Sequence, residues 1–180
     1  MSASANSGPR LSTVTWVRVA GGADVAAIGR VVLRGLGAAP SASQEADEWG
    51  SGPEPVGREL LRNARIDGDL LLLAEVGVTP VGVVRVSPRE MSSSRHIGTL
   101  ALCVDPGWRS QGVGRVALAA AERRAWVDLA VERLEVRVSS DDLALRGLVR
   151  SSGYRCERRE RHGLLTASGP RDVEVYVLDR

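Results

Sequence analysis

Two glycines one residue apart, Gly112 and Gly114, follow Arg109 in the stretch RSQGVG, which joins a run that alternates like a strand to one that repeats like a helix. A strand, a glycine-containing turn and a helix start together make an anion site. The first helical turn presents backbone N–H groups without partners at the positive end of the helix dipole. Glycine lets a phosphate reach those donors without meeting a Cβ. A phosphate loop of the nucleoside-triphosphatase kind needs a Lys followed by Ser or Thr, and this chain has no Lys at all. The dinucleotide fingerprint needs its glycines directly after the first strand, whereas Arg109 holds the first place here and the loop follows the fourth expected strand. Both readings fit poorly.

The elements around the loop follow from the hydrophobic pattern. Thr13 to Val19 reads as a first strand. Val25, Ile28, Val32 and Leu36 then share one helical face, with Asp24 near the N-terminus where a carboxylate is favoured. After the loop PSASQEADEWGSGPEP comes a second helix with Val56, Leu60 and Ala64 on one face. Residues 70–90 read as a hairpin turning around Gly77 to Pro80. In RHIGTLALCVDP, His96, Gly98, Leu100, Leu102 and Val104 alternate with Ile97, Thr99, Ala101 and Cys103, and both sets are nearly apolar, which predicts a central strand. Behind the RSQGVG loop, Val113, Val116, Ala117, Ala120 and Ala121 recur at helical spacing, with Arg115, Glu122 and Arg123 toward solvent. A strand with Leu134, Val136 and Val138 inward follows, then a helix from about Asp142 to Ser151 ending at Gly153. YRCERRER and DVEVYVLD close the chain as strands. The order β-α-α-β-β-β-α-β-α-β-β predicts one α/β (α+β) domain over 13–180, preceded by a small, polar tail at 1–12 that is expected to be disordered.

Taken together, GTLALCVDPGWRSQGVGRVAL resembles the pyrophosphate-binding segment of the GNAT superfamily of acyl-CoA-dependent N-acetyltransferases: an apolar strand, V-x-P, an Arg, spaced glycines and a helix. VRVSSDDLALRGLVRSSGY is similar to that family's stretch from the fifth strand to a terminal Gly-aromatic pair, here Gly153 and Tyr154. The resemblance covers roughly 13–180 and implies a central mixed, mostly antiparallel sheet of about seven strands flanked by about four helices. It implies transfer of an acetyl group from acetyl-CoA, as co-substrate and without a metal, to a primary amine by direct attack. The pantetheine arm would lie along Leu102, Cys103 and Val104, and the diphosphate over Arg109, Ser110, Gln111, Gly112, Val113 and Gly114. Arg109 would contribute through its side chain or its backbone.

The same resemblance exposes departures. Asp142 stands where a cofactor-contacting Asn is usual, and Val149 where a Tyr often protonates the departing thiolate. A carboxylate accepts hydrogen bonds but donates none. The thiolate is a fair leaving group without help, since a free thiol has a pKa of about 8.5. A base is expected near Gly98, which has no side chain; His96, two residues earlier, is the candidate catalytic base, with an ordinary pKa of about 6.5. Loss of Tyr and Asn raises the alternative of a catalytically degenerate acyl-CoA-binding regulatory module. Glu45, Asp47, Glu48 and Glu54, grouped around Trp49 in the loop bordering the acceptor site, could select a cationic amine. Cys103 reads as a small buried hydrophobe.

Composition bounds the partners. With 24 basic against 22 acidic residues the charges nearly cancel, and no concentrated basic stripe argues for nucleic acid. No apolar run approaches the about 18 residues that span a bilayer. Cys103 and Cys156 lack metal-ligand or redox spacing and no secretory segment is visible, so a reducing cytoplasm is the expected compartment. Whether the chain forms a homodimer is left open.

Overall fold

The structure, a computed structural model, describes residues 15–38, 52–166 and 168–180. The expected tail at 1–12 and most of the acidic loop, including Glu45, Asp47, Glu48 and Trp49, lie outside the described residues. The elements run β1 (Thr15–Val19), α1 (Val25–Gly37), α2 (Pro53–Asp67), β2 (Leu70–Val76), β3 (Thr79–Pro88), β4 (Ile97–Val104), α3 (Val113–Asp128), β5 (Arg133–Ser139), α4 (Leu143–Ser151), β6 (Arg155–Thr166) and β7 (Gly169–Asp179). This is the order the hydrophobic pattern predicts, with β6 and β7 longer than expected.

The strands form one sheet in the order β1-β2-β3-β4-β5-β7-β6. Every neighbouring pair is antiparallel except β4 with β5, which run parallel through the crossover helix α3. β2 shows why two layers of helix are needed. Its residues Leu70 to Ala74 are buried consecutively, and strand alternation sends them to opposite faces. Leu70, Leu72 and Ala74 join Val84, Val86, Leu100, Leu134 and Val136 against α3. Leu71, Leu73 and Val83 pack instead under Ile28, Val31 and Val56 of α1 and α2. Burying each such aliphatic side chain contributes about 1.5–3 kcal/mol, so one strand anchors both layers.

The two helices on the second face cross at very short range. A Cβ on Gly29 would lie 1.7 Å from the Pro53 carbonyl oxygen, and one on Gly57 would lie 1.8 Å from that of Val25. Only glycine permits that reciprocal contact, which seats α1 and α2 flat on the sheet.

At the start of α1, Asp24 is buried and accepts from both terminal nitrogens of Arg18, each at 2.8 Å, and from the Gly21 N–H. Arg18 also donates to Glu75 on β2. The expected carboxylate at this helix start is therefore present and serves to tie α1 to two strands.

A cleft through the sheet and the residues that line it

β4 pairs with β3 along most of its length, from Gly98 opposite Pro88 to Val104 opposite Gly82. Toward β5 it pairs over three residues only, Ile97 to Thr99, although both strands continue. The two strands part beyond Thr99 and Glu135. Backbone groups of Leu100 to Val104 that point toward β5 thus have no strand partner, and unpaired ladder groups are a template for an extended amide-bearing chain.

A cleft of about 560 Å³ opens at this parting. Leu102, Val104, Gly114, Leu145 and Leu148 line it from the face covered by α3 and α4, and Gly35, Leu36, Cys103 and Arg137 line it from the α1 face. The cleft therefore runs through the sheet from one face to the other. A group held along β4 can be met by a second molecule arriving from the opposite side.

The turn from β4 into α3 is built from three local devices. Asp105 is buried, accepts from the Gly107 N–H at 3.0 Å and pairs with Arg34, which fixes the short turn Pro106–Trp108. Arg109 turns its guanidinium back to the carbonyl oxygens of Val104 (3.2 Å), Gly35 (2.9 Å) and Ala38 (3.4 Å). Gly112 takes a left-handed φ of 86°, and α3 starts at the next residue, with Val116 N–H donating to the Gly112 carbonyl at 3.1 Å. The preceding N–H groups at the helix start have no helical acceptor. A Cβ on Gly112 would meet no protein atom within 4 Å, so the space in front of these donors is open. An anionic group fits there, and an added side chain would enter the same space.

Most of the sequence-predicted cofactor residues converge on this cleft: Leu102, Cys103, Val104, Arg109, Ser110, Gly112, Gly114 and Asp142 all line it. Two do not. Val113 is the first residue of α3 and its side chain is fully buried, which leaves only its backbone N–H for a ligand, and Gln111 donates its side-chain amide to the Gly107 carbonyl at 2.9 Å. The Arg109 side chain is engaged with three carbonyls, so its role is to hold the loop against α1. Asp142 caps α4, its carboxylate accepting from the Leu145 N–H at 2.9 Å. That bond explains an Asp at this position, since an N-cap needs an acceptor.

His96 is exposed and precedes β4, and its carbonyl accepts from the N–H groups of Glu132 and Arg133. Six residues separate it from Leu102, which is roughly 20 Å of strand. The structure does not bring it to the cleft. A side chain at Gly98 would likewise point into Val86, Val131 and Leu134. Thr99 is the neighbouring residue on the opposite, α1-side face of β4. Val149 is fully buried in the core beneath α4, and Leu145 and Leu148 present that helix to the cleft instead.

Burial pushes the Cys103 thiol up to about 11, and its Sγ lies 3.6 Å from the Val31 carbonyl oxygen and 3.7 Å from that of Val32. A protonated thiol turned toward α1 is packing, as the sequence suggests. Sequence reasoning missed Arg115, which lines the cleft and donates to Ser151 Oγ at 3.4 Å, and Arg137 and Ser139 on β5. Alternation along ERLEVRVSS was the available signal, because it sets Glu135, Arg137 and Ser139 together on the face opposite Leu134, Val136 and Val138.

Among the described residues no group of His, Cys, Asp and Glu is arranged to hold a metal ion. No described helix is long and apolar enough to cross a membrane.

Comparison with known proteins agrees with this geometry. The chain is similar in fold to a GNAT-family acetyltransferase from Streptococcus pneumoniae (TM-score 0.79, 22% identity, covering 92% of this chain and 99% of that one). It is equally close to the ribosomal-protein-alanine N-acetyltransferase of Brucella melitensis (TM-score 0.78, 22% identity, 92% and 99% covered). YncA of Salmonella typhimurium, solved with its cofactor acetyl-CoA, superposes with a TM-score of 0.77 at 17% identity, over 92% of this chain and 93% of that one. No curated protein sequence matches the chain. The family model for the acetyltransferase (GNAT) family matches residues 40–154, a span that contains β4, the RSQGVG loop and α3. The chain belongs to the GNAT family of acetyltransferases.

Proposed function

We propose that residues 13–180 act as a single N-acetyltransferase domain that moves an acetyl group from acetyl-CoA to a primary amine by direct attack. The observation that carries this reading is the cleft through the sheet, which has unpaired β4 backbone on one wall and the open helix start at Gly112 at its end. Bound there, acetyl-CoA supplies an activated thioester.

The chain's own residues hold and orient the two reactants. Backbone groups of Leu102 to Val104 serve the amides of the pantetheine arm and polarise the thioester carbonyl, a task for which fixed N–H donors suffice. The N–H groups at the start of α3 and the nearby Arg115 receive the diphosphate. Leu145 and Leu148 exclude water from that side. The amine enters from the α1 face, between Gly35, Leu36, Cys103 and Arg137.

Proton handling follows from what lines the cleft. Asp142 is the one carboxylate among the described lining residues, and it is committed to the α4 cap. Among the described residues no free side-chain acid or base lines the cleft, so in this reading solvent takes the proton from the amine and supplies one to the departing thiolate. Positioning supplies most of the acceleration.

The test is acetyl-CoA-dependent release of free CoA across an amine panel, with the acetylated product identified by mass. Turnover supports the proposal. Tight acetyl-CoA binding with no amine acetylated replaces it with the acyl-CoA-binding regulatory module that Val149 and Asp142 suggest.

A further inference from the structure

The α1-side face of the sheet contains a bare strip on its central strand. Thr99 and Ala101 are exposed although β4 has a neighbour on each side, because α1 and α2 cover Leu71, Leu73 and Val83 and stop short of them. β4 is central in the sheet, as its two nearly apolar faces predict, yet this part of its α1-side face is left uncovered. Charged residues stand in register with the strip. Arg85 lies opposite Ala101 on β3, Glu135 opposite Thr99 on β5, and Arg137 two residues farther along β5 on the same face.

Three ion pairs around the strip are asymmetric in depth. The Arg85 side chain is 30% exposed and its partner Asp69 1%. Arg89 is 42% exposed and Glu135 8%, and Arg137 is 46% exposed and Glu160 27%. In these three pairs the carboxylate is the less exposed partner, whereas Asp67, 48% exposed, meets Arg85 from the surface side. A guanidinium carries five N–H donors in a fixed plane. Arg137 spends donors on Glu160 and on the Gly163 carbonyl, and Arg85 on Asp69 and Asp67, so each guanidinium keeps further N–H donors beyond these contacts. The paired carboxylates hold these planes in place, so little side-chain freedom is lost when an anion binds. What an incoming molecule meets on both sides of Thr99 and Ala101 is a set of oriented donors.

We propose that the acceptor is a small amine that also carries a carboxylate, of the amino-acid class, and that Arg85 and Arg137 bind the carboxylate while the amine enters the cleft. This rests on the N-acetyltransferase reading above. It departs from the cationic acceptor suggested by the loop at 39–51, which lies outside the described residues. Bidentate Arg–carboxylate recognition is geometrically specific as well as strong.

Acceptors matched in size separate these readings: an amino acid, its amide, the amine lacking the carboxyl group, and a diamine, each assayed by CoA release from acetyl-CoA. The expected result is a kcat/KM about 10- to 100-fold higher for the carboxylate-bearing member. Arg137→Gln and Arg85→Gln should raise the KM of the carboxylate-bearing acceptor several-fold more than that of its amide, collapsing the preference between them, and Arg137→Lys should keep part of the preference. Preference for the diamine or the neutral amine in the unmodified protein overturns the proposal and leaves the acetyltransferase reading intact. Failure to acetylate any amine overturns both.

Discussion

Arg109 donates to the carbonyl oxygen of Gly35 at 2.9 Å, so the residue that opens the glycine loop also closes the end of α1 against it. The same guanidinium reaches Val104 at the end of β4. One side chain therefore joins a cleft wall from each face of the sheet.

Replacing Arg109 removes charge-assisted bonds to the part-buried carbonyls of Val104 and Gly35, each worth about 1.5–3 kcal/mol, and a longer, exposed one to Ala38. Arg109→Ala should lower the melting temperature and weaken acetyl-CoA binding together. Arg109→Lys should rescue little of either, because an ammonium cannot span three acceptors in one plane. Thermal unfolding with and without acetyl-CoA checks this. A variant that loses binding but keeps full stability would show that the side chain serves the ligand directly.

Gly112→Val should separate binding from folding in the other direction. The left-handed φ costs about 1–2 kcal/mol for a residue with a Cβ and more for a β-branched one, and no protein atom lies within 4 Å of where that Cβ would stand. Acetyl-CoA binding, measured by calorimetry, should be abolished in a protein that still unfolds cooperatively.

The Asp24 carboxyl is held below its ordinary value, chiefly by the hydrogen bonds from Arg18 and also by the Gly21 N–H. A carboxyl depressed in the folded state stabilises above the unfolded-state value of about 3.9 and loses that contribution as pH falls through the folded value. Asp24→Asn should therefore cost about 1–3 kcal/mol at neutral pH, and the gap from the unmodified protein should shrink below about pH 4. Denaturant titrations at several pH values measure it. A gap that stayed constant into strong acid would contradict the pairing.

Much of this was readable beforehand, for identifiable reasons. Leu70 to Ala74 mark a strand covered on both sides, and the spacing of Arg109, Gly112 and Gly114 marks a strand-to-helix anion site. Both signals are local. The parting of β4 from β5 is not, because it depends on how far two strands distant in sequence stay in register. The burial of Val149, the inward turn of Arg109 and the exposure of Thr99 all follow from where neighbouring helices stop. His96 sits on a strand pattern that the structure starts one residue later, at Ile97.

Cys103 lines the cleft as a protonated, half-buried thiol, so Cys103→Ala should retain acetyl transfer, and in a Cys156→Ser background Cys103 should react slowly with iodoacetamide at neutral pH. Loss of turnover in that variant with binding intact would point to an acyl-cysteine intermediate.

With no free carboxylate or imidazole lining the described cleft, kcat/KM should rise with pH until the acceptor's own amine is deprotonated. Exchanging one acceptor for another of lower amine pKa should move the inflection with it. An inflection that stayed fixed across acceptors would reveal a protein base.

The most direct measurement is the acetyl-transfer assay itself: purified protein, acetyl-CoA and a panel of small amines, with free CoA and acetylated product both quantified. The expected result is stoichiometric formation of an N-acetyl product, highest with carboxylate-bearing amines and absent in Gly112→Val. Saturable acetyl-CoA binding with no product from any amine would contradict the assignment of this cleft as an acetyl-transfer site.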